Sequence, residues 1–73
     1  MESIELLGQL ERAQKAVVDG ETDIRCQRDL IFRLERARED ASAARALLET
    51  LIKRQAERLE NLGYVIRQFP EKE

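Results

Sequence analysis

The apolar residues of this chain are arranged as a reflection about the stretch Arg38-Glu39-Asp40-Ala41-Ser42, and few folds satisfy such a pattern. Leu34 falls opposite Leu48, Ile31 opposite Leu51, Gln27 opposite Gln55, Gly20 opposite Leu62 and Val17 opposite Val65. Helical side chains three and four apart share a face, so two antiparallel helices joined by a short turn would produce this reflection. The expected architecture is an all-α, two-helix hairpin with helices over about 3–37 and 42–69, in a single domain spanning 1–73 with a short polar tail at 70–73.

The totals limit the alternatives. A chain of 73 residues makes one small domain, and a domain of this size folds alone only marginally without a staple or partner. Cys26 is the single cysteine, so no intrachain disulfide forms. The composition, 38% charged and 4% aromatic, fits long amphipathic helices better than a sheet-based core. Thirteen basic and 15 acidic residues are interspersed, giving a net charge of -2 rather than the one-sided basic footprint of a dedicated nucleic-acid binder. The opening Met1-Glu2-Ser3-Ile4-Glu5 lacks the positive start of a signal peptide, and no apolar run approaches the roughly 20 residues of a membrane span. With a free thiol, this places the protein in the cytoplasm as an expectation.

Ser3 is the expected N-cap of the first helix, with Leu6, Leu7, Leu10, Ala13 and Val17 following at helical spacing. Asp19-Gly20 interrupts, and a break at Gly20 would give a three-helix bundle instead. The reflected pattern runs through Gly20 without a change of register, which favours the hairpin and makes Gly20 a kink or a point of close approach beneath Leu62. Ile24, Gln27, Ile31 and Leu34 form the inner seam of this helix; Glu21, Arg25, Asp29 and Arg33 make an alternating i,i+4 ladder outside it. Phe32 shares a face with Arg28, Glu35 and Arg36 and is expected to be exposed. No glycine is available for the left-handed residue after the first helix, so Arg38 or Glu39 must take it, and Asp40 or Ser42 caps the second helix. A single helix running straight through is the competing solution.

The second helix carries Ala44, Leu47, Leu48, Leu51, Ile52, Gln55, Leu59, Leu62, Val65, Ile66 and Phe69. That stripe is wider than one facing helix requires. The reflection also leaves Ile4, Leu6, Leu7 and Leu10 overhanging the end of the second helix. Burying a Leu or Ile is worth about 1.5–3 kcal/mol, so this end and the wide stripe predict a partner. A homodimer forming a four-helix bundle closes both surfaces most simply. Gln27 and Gln55, amides facing one another in an aliphatic seam, either bond to each other as a register-setting pair or sit at the seam edge reaching water.

Chemistry is constrained by inventory. With no histidine, the usual general base and the Ser–His, Cys–His and His-containing metal arrangements are missing; no cofactor, metal or catalytic residue is expected. Gly8, Gly20 and Gly63 are isolated and make no phosphate loop. Cys26 beside Arg25 and Arg28 reads as a small apolar filler more readily than as a reactive thiol, although a dimer could bring two copies into an interchain disulfide. Small all-helical mutases of the chorismate mutase type need no histidine, and Arg33, Arg36, Arg38 and Arg45 with Gln55 are the residues such an enzyme would use here. Arg25, Arg28, Arg33 and Arg36 around Phe32 make nucleic-acid binding the runner-up to a protein-interaction role. The residues expected to make contacts are Ile4, Leu6, Leu7, Leu10, Phe32 and Tyr64.

The segment from Gly20-Glu21 through Ile24, Gln27-Arg28 and Leu34-Glu35, followed by Ala44-Arg45-Ala46-Leu47-Leu48, resembles a group of small uncharacterised bacterial helical-hairpin proteins. Their pattern is G-E-x-x-I-x-x-Q-[KR], then L-E, a D-G-x-D turn, and A-x-x-L-L. The likeness covers about residues 17–59 and departs at the turn, where Ala37 and Arg38 stand in place of Asp and Gly. It implies a helical hairpin and no particular chemistry.

Overall fold

The computed structural model describes residues 2–70, with side chains from Ile4 onward. Two helices, α1 (Glu2–Arg36) and α2 (Ser42–Arg67), pack antiparallel as a hairpin 56 Å long, 20 Å wide and 14 Å thick. The 35 residues of α1 at 1.5 Å per residue account for that length. Gly20 lies inside an uninterrupted helix, so the three-helix alternative is not the fold. α1 starts one residue ahead of Ser3, whose expected capping side chain lies outside the described residues, as do residues 71–73 of the expected polar tail.

The turn reverses the chain within five residues. Arg38 takes the left-handed conformation at φ 60°, the position usually given to glycine. Its N–H donates to the Glu35 carbonyl at 3.0 Å and the Glu39 N–H reaches back to the Leu34 carbonyl at 2.9 Å, closing a Schellman end on α1. On the far side, Asp40 Oδ1 accepts the Ser42 backbone N–H at 3.0 Å and the Ser42 hydroxyl at 2.7 Å. The Ser42 hydroxyl bond first and the Ser42 N–H second hold the Asp40 carboxyl below its ordinary pKa against the opposing effect of desolvation, with the charge of Arg45 the weakest contributor. Ala41, only 2% exposed, fills the bend, and Glu35 bridges to Arg45 at 2.6 Å across it. At the other end of α2, Gln68 and Phe69 donate to the carbonyls of Val65 and Ile66, three residues back. That tightening ends the helix two residues before Phe69, since a residue preceding proline is driven from helical geometry.

The interior is thin. Ala13, Val17, Gly20, Ile31, Ala41, Gln55 and Val65 are the buried residues among those described, and no large side chain is completely enclosed. Leu6, Leu10, Ile24, Leu34, Leu48, Leu51, Leu62 and Phe69 line the seam half-buried. Two helices touch along one line, so each seam residue keeps a flank in water.

The register of that line differs from the one the reflection predicts. Gln55 lies against Gly20, where Leu62 was expected, and its amide nitrogen donates to the Val17 carbonyl at 2.9 Å. Asn61 and Val65 border a groove with Gln9 and Ala13, and Gln68 borders one with Leu6. α2 is displaced by seven residues, one heptad, relative to α1. A heptad pattern reflects equally well about two centres half a heptad apart, so hydrophobic spacing alone is blind to this shift. Shape decides it. A Cβ on Gly20 would collide with Gln55 Oε1 and would sit 2.6 Å from Arg58 Nη1, so only glycine admits the amide at this level.

Candidate interaction surface

The heptad shift changes the greasy end of the hairpin. Leu6 and Leu10, expected to overhang, lie alongside the last turns of α2 and are half-covered. Ile4 and Leu7 remain 69% and 52% exposed. The overhang is therefore two residues deep rather than four, because α2 reaches one heptad further toward the start of α1.

Gln27 and Gln55 do not meet. Gln27 Nε2 donates to the Ala44 carbonyl at 2.9 Å, and Gln55 Nε2 donates to Val17 ten residues further along α1, roughly 15 Å away. Each amide ties its own helix to the backbone of the other, so the expected amide–amide pair is replaced by two separate cross-links. The second is the deeper one: Gln55 is buried, and its Oε1 has no hydrogen-bond partner among the described residues. A buried amide oxygen left unsatisfied costs about 1–3 kcal/mol.

Phe32 and Tyr64 are both more than half exposed. Phe32 is not bare on both faces, because the Arg36 guanidinium lies 5.5 Å from its ring centroid, at cation–π distance. Arg33 is held by Asp29 at 2.7 Å, a closed rung of the alternating ladder. Of the four arginines a mutase site would use, three are engaged separately, Arg33 with Asp29, Arg45 with Glu35 and Arg36 on Phe32, and Arg38 is the left-handed residue of the turn. Gln55 is on the seam beside Gly20 and does not join them. Cys26 is exposed, which corrects its reading as an interior filler.

The most conspicuous surface is on α2, and it was seen in the sequence only as excess width. Leu48, Leu51, Gln55, Arg58, Leu62, Val65 and Phe69 face α1, buried or half-buried, at alternating steps of three and four. A second set with the same periodicity, Ile52, Ala56, Leu59, Gly63 and Ile66, runs alongside it facing outward. Ile52, Leu59 and Ile66 are 43%, 51% and 52% exposed. Leu7 and Val18 of α1 border the same side, by the sense in which antiparallel helices present their flanks.

Concavities are shallow. Gln9, Arg12, Ala13, Ala16, Asn61 and Val65 line a groove of about 210 Å³, and Glu5, Leu6, Gln9 and Gln68 one of about 290 Å³. Both fall below the roughly 300–1,000 Å³ of small-molecule sites. Among the described residues, no group of three acidic, cysteine or histidine side chains is suited to a metal ion, and no helix is long and apolar enough to cross a membrane. No protein-family model, curated protein or solved structure was found to match the chain.

Proposed function

We propose that this protein is a non-catalytic, self-associating interaction module, a scaffold or adaptor that works through the apolar flanks of its hairpin. One observation carries the reading. Ten large apolar or aromatic side chains among the described residues (Ile4, Leu7, Val18, Leu30, Phe32, Leu47, Ile52, Leu59, Tyr64 and Ile66) are at least 40% exposed, while the buried set consists mainly of small and β-branched residues. These side chains are about half exposed, so covering three of the aliphatic ones contributes about 2–4 kcal/mol, a large fraction of the stability of a small domain. Association as a dimer, with the four-helix bundle as its closed form, is the economical way to cover them. Light scattering on the purified protein tests this: the mass of two chains is expected as concentration rises from micromolar toward millimolar, and a single-chain mass throughout that range refutes it.

A second reading is favoured by Phe32 with Arg36 stacked over it and Arg25, Arg28 and Arg33 nearby on α1. An exposed ring among guanidinium groups is a platform for an unpaired base. Under this reading the protein retards single-stranded oligonucleotide in a gel at low salt, and the shift disappears as salt rises. No retardation at 50 mM salt removes it.

A further inference from the structure

Resting on the reading that the protein self-associates, we infer that the outward seam of α2 is covered by the same seam of a second copy running antiparallel, with the two-fold axis level with the junction of Glu57 and Arg58. The seam alternates in size: Ile52, Ala56, Leu59, Gly63, Ile66. With the axis at that level, Ile52 lies opposite Gly63 of the other copy and Leu59 opposite its Ala56, each twice by symmetry. Ile52 and Leu59 enter the spaces left by small residues, the complementarity that an isologous interface demands of one patch with itself, and Ile66 at the end of the seam falls opposite Glu49.

Two further observations fix the occupant. The first is Gly63. Glycine inside a helix costs about 1 kcal/mol against alanine, and at Gly20 the hairpin itself explains the choice. At Gly63 it does not, since an added Cβ would meet only the flexible end of Arg67, at 3.4 Å. The space above Gly63 is left for something outside the chain. Gly8 is equally unconfined, but of its helical neighbours only Ile4 is apolar and the other three, Glu5, Glu11 and Arg12, are charged, so no apolar seam continues past it.

The second observation is charge. Lys53 and Glu60 are exposed along the outer edge of the seam. In the proposed register Lys53 of each copy falls within about 3 Å, along the axis, of Glu60 of the other, so two opposite-charge pairs flank the apolar strip. The neighbouring register, with Leu59 on the axis, puts Ile52 against Ile66 and brings Lys53 to Arg67 and Glu60 to its own copy. Size and charge both reject it.

Charge exchange tests the geometry. K53E and E60K alone each turn both pairs repulsive and are expected to weaken dimerisation roughly tenfold, whereas an equimolar mixture of the two variants restores it as a one-of-each dimer. In a Cys26→Ser background, the K53C/E60C double variant oxidises to a disulfide-linked dimer and K53C alone does not. Cysteines two turns apart in one helix cannot reach each other, so the bond must be between chains. A wild-type dimer that neither charge variant weakens, or a mixture no tighter than its components, overturns this geometry and leaves self-association standing. A wild type that never exceeds single-chain mass overturns both.

Discussion

α2 carries two seams of the same period, and they have opposite fates. The inner one, from Leu48 to Phe69, meets α1 and is buried or half-buried throughout. The outer one, from Ile52 to Ile66, has no counterpart in its own chain. Their spacing is identical, so periodicity does not separate a core from a surface in a hairpin this small. What separates them is the supply of partners: one chain of this length provides only one helix to cover the other. The glycines mark the same division. Gly20 is required by Gln55, while none of the described residues requires Gly63.

The sharpest way to break the comparison is to place a charge on each seam in turn. Val65→Glu buries a carboxylate at a position only 4% exposed and is expected to unfold the hairpin, with a loss of several kcal/mol. Leu59→Glu, on the outer seam, should leave far-UV circular dichroism of the helices near wild type at concentrations where both are monomeric, and abolish the dimer in sedimentation velocity. Equal damage from the two substitutions would erase the distinction between the seams.

Next in size is the Gly20 socket. Gly20→Ala gains helix propensity but drives a methyl into Gln55 and is expected to destabilise by about 1–2 kcal/mol in urea unfolding. Adding Gln55→Ala removes the obstruction, so the double variant should be more stable than Gly20→Ala alone. Additive losses would show that Gly20 and Gln55 are not in contact. Gln55→Leu alone removes the unpartnered Oε1 together with the Val17 bond and is expected to be neutral or stabilising by up to about 1 kcal/mol.

The smallest effect is at the turn. The lowered pKa of Asp40 means that its ionised form is favoured by folding. Its contribution is complete above the unfolded value near 3.8 and is lost as pH falls through the lower folded value. Asp40→Ala is therefore expected to lower the thermal midpoint slightly at pH 7, and the difference from wild type should narrow below about pH 4. A difference that persists unchanged to pH 2 would show that ionisation of Asp40 plays no part.

The hairpin was legible in the sequence because the reflected pattern needs two helices and a reversal near Asp40. The strained turn was legible too: with no glycine between Arg36 and Ser42, a side-chain-bearing residue had to take positive φ, and Arg38 does. Phe32 could be assigned to the surface from 100° per residue alone. The register was not legible, because moving α2 by a heptad exchanges one aliphatic pairing for another of similar hydrophobicity. The deciding fit is steric, an amide lodged where Cβ is missing, and hydropathy does not record it. The one-heptad error then carried into two further expectations, the meeting of Gln27 with Gln55 and the four-residue overhang. The outer seam was visible only as surplus width, since its five members merge with the inner set when all apolar positions are counted together.

The central claim, that this hairpin exists to be paired, is tested most directly by sedimentation equilibrium of the wild-type chain from micromolar to near-millimolar concentration. The account expects a reversible shift from the mass of one chain to that of two, with no larger species dominating. A single-chain mass across the whole range, with the helices intact, would contradict it.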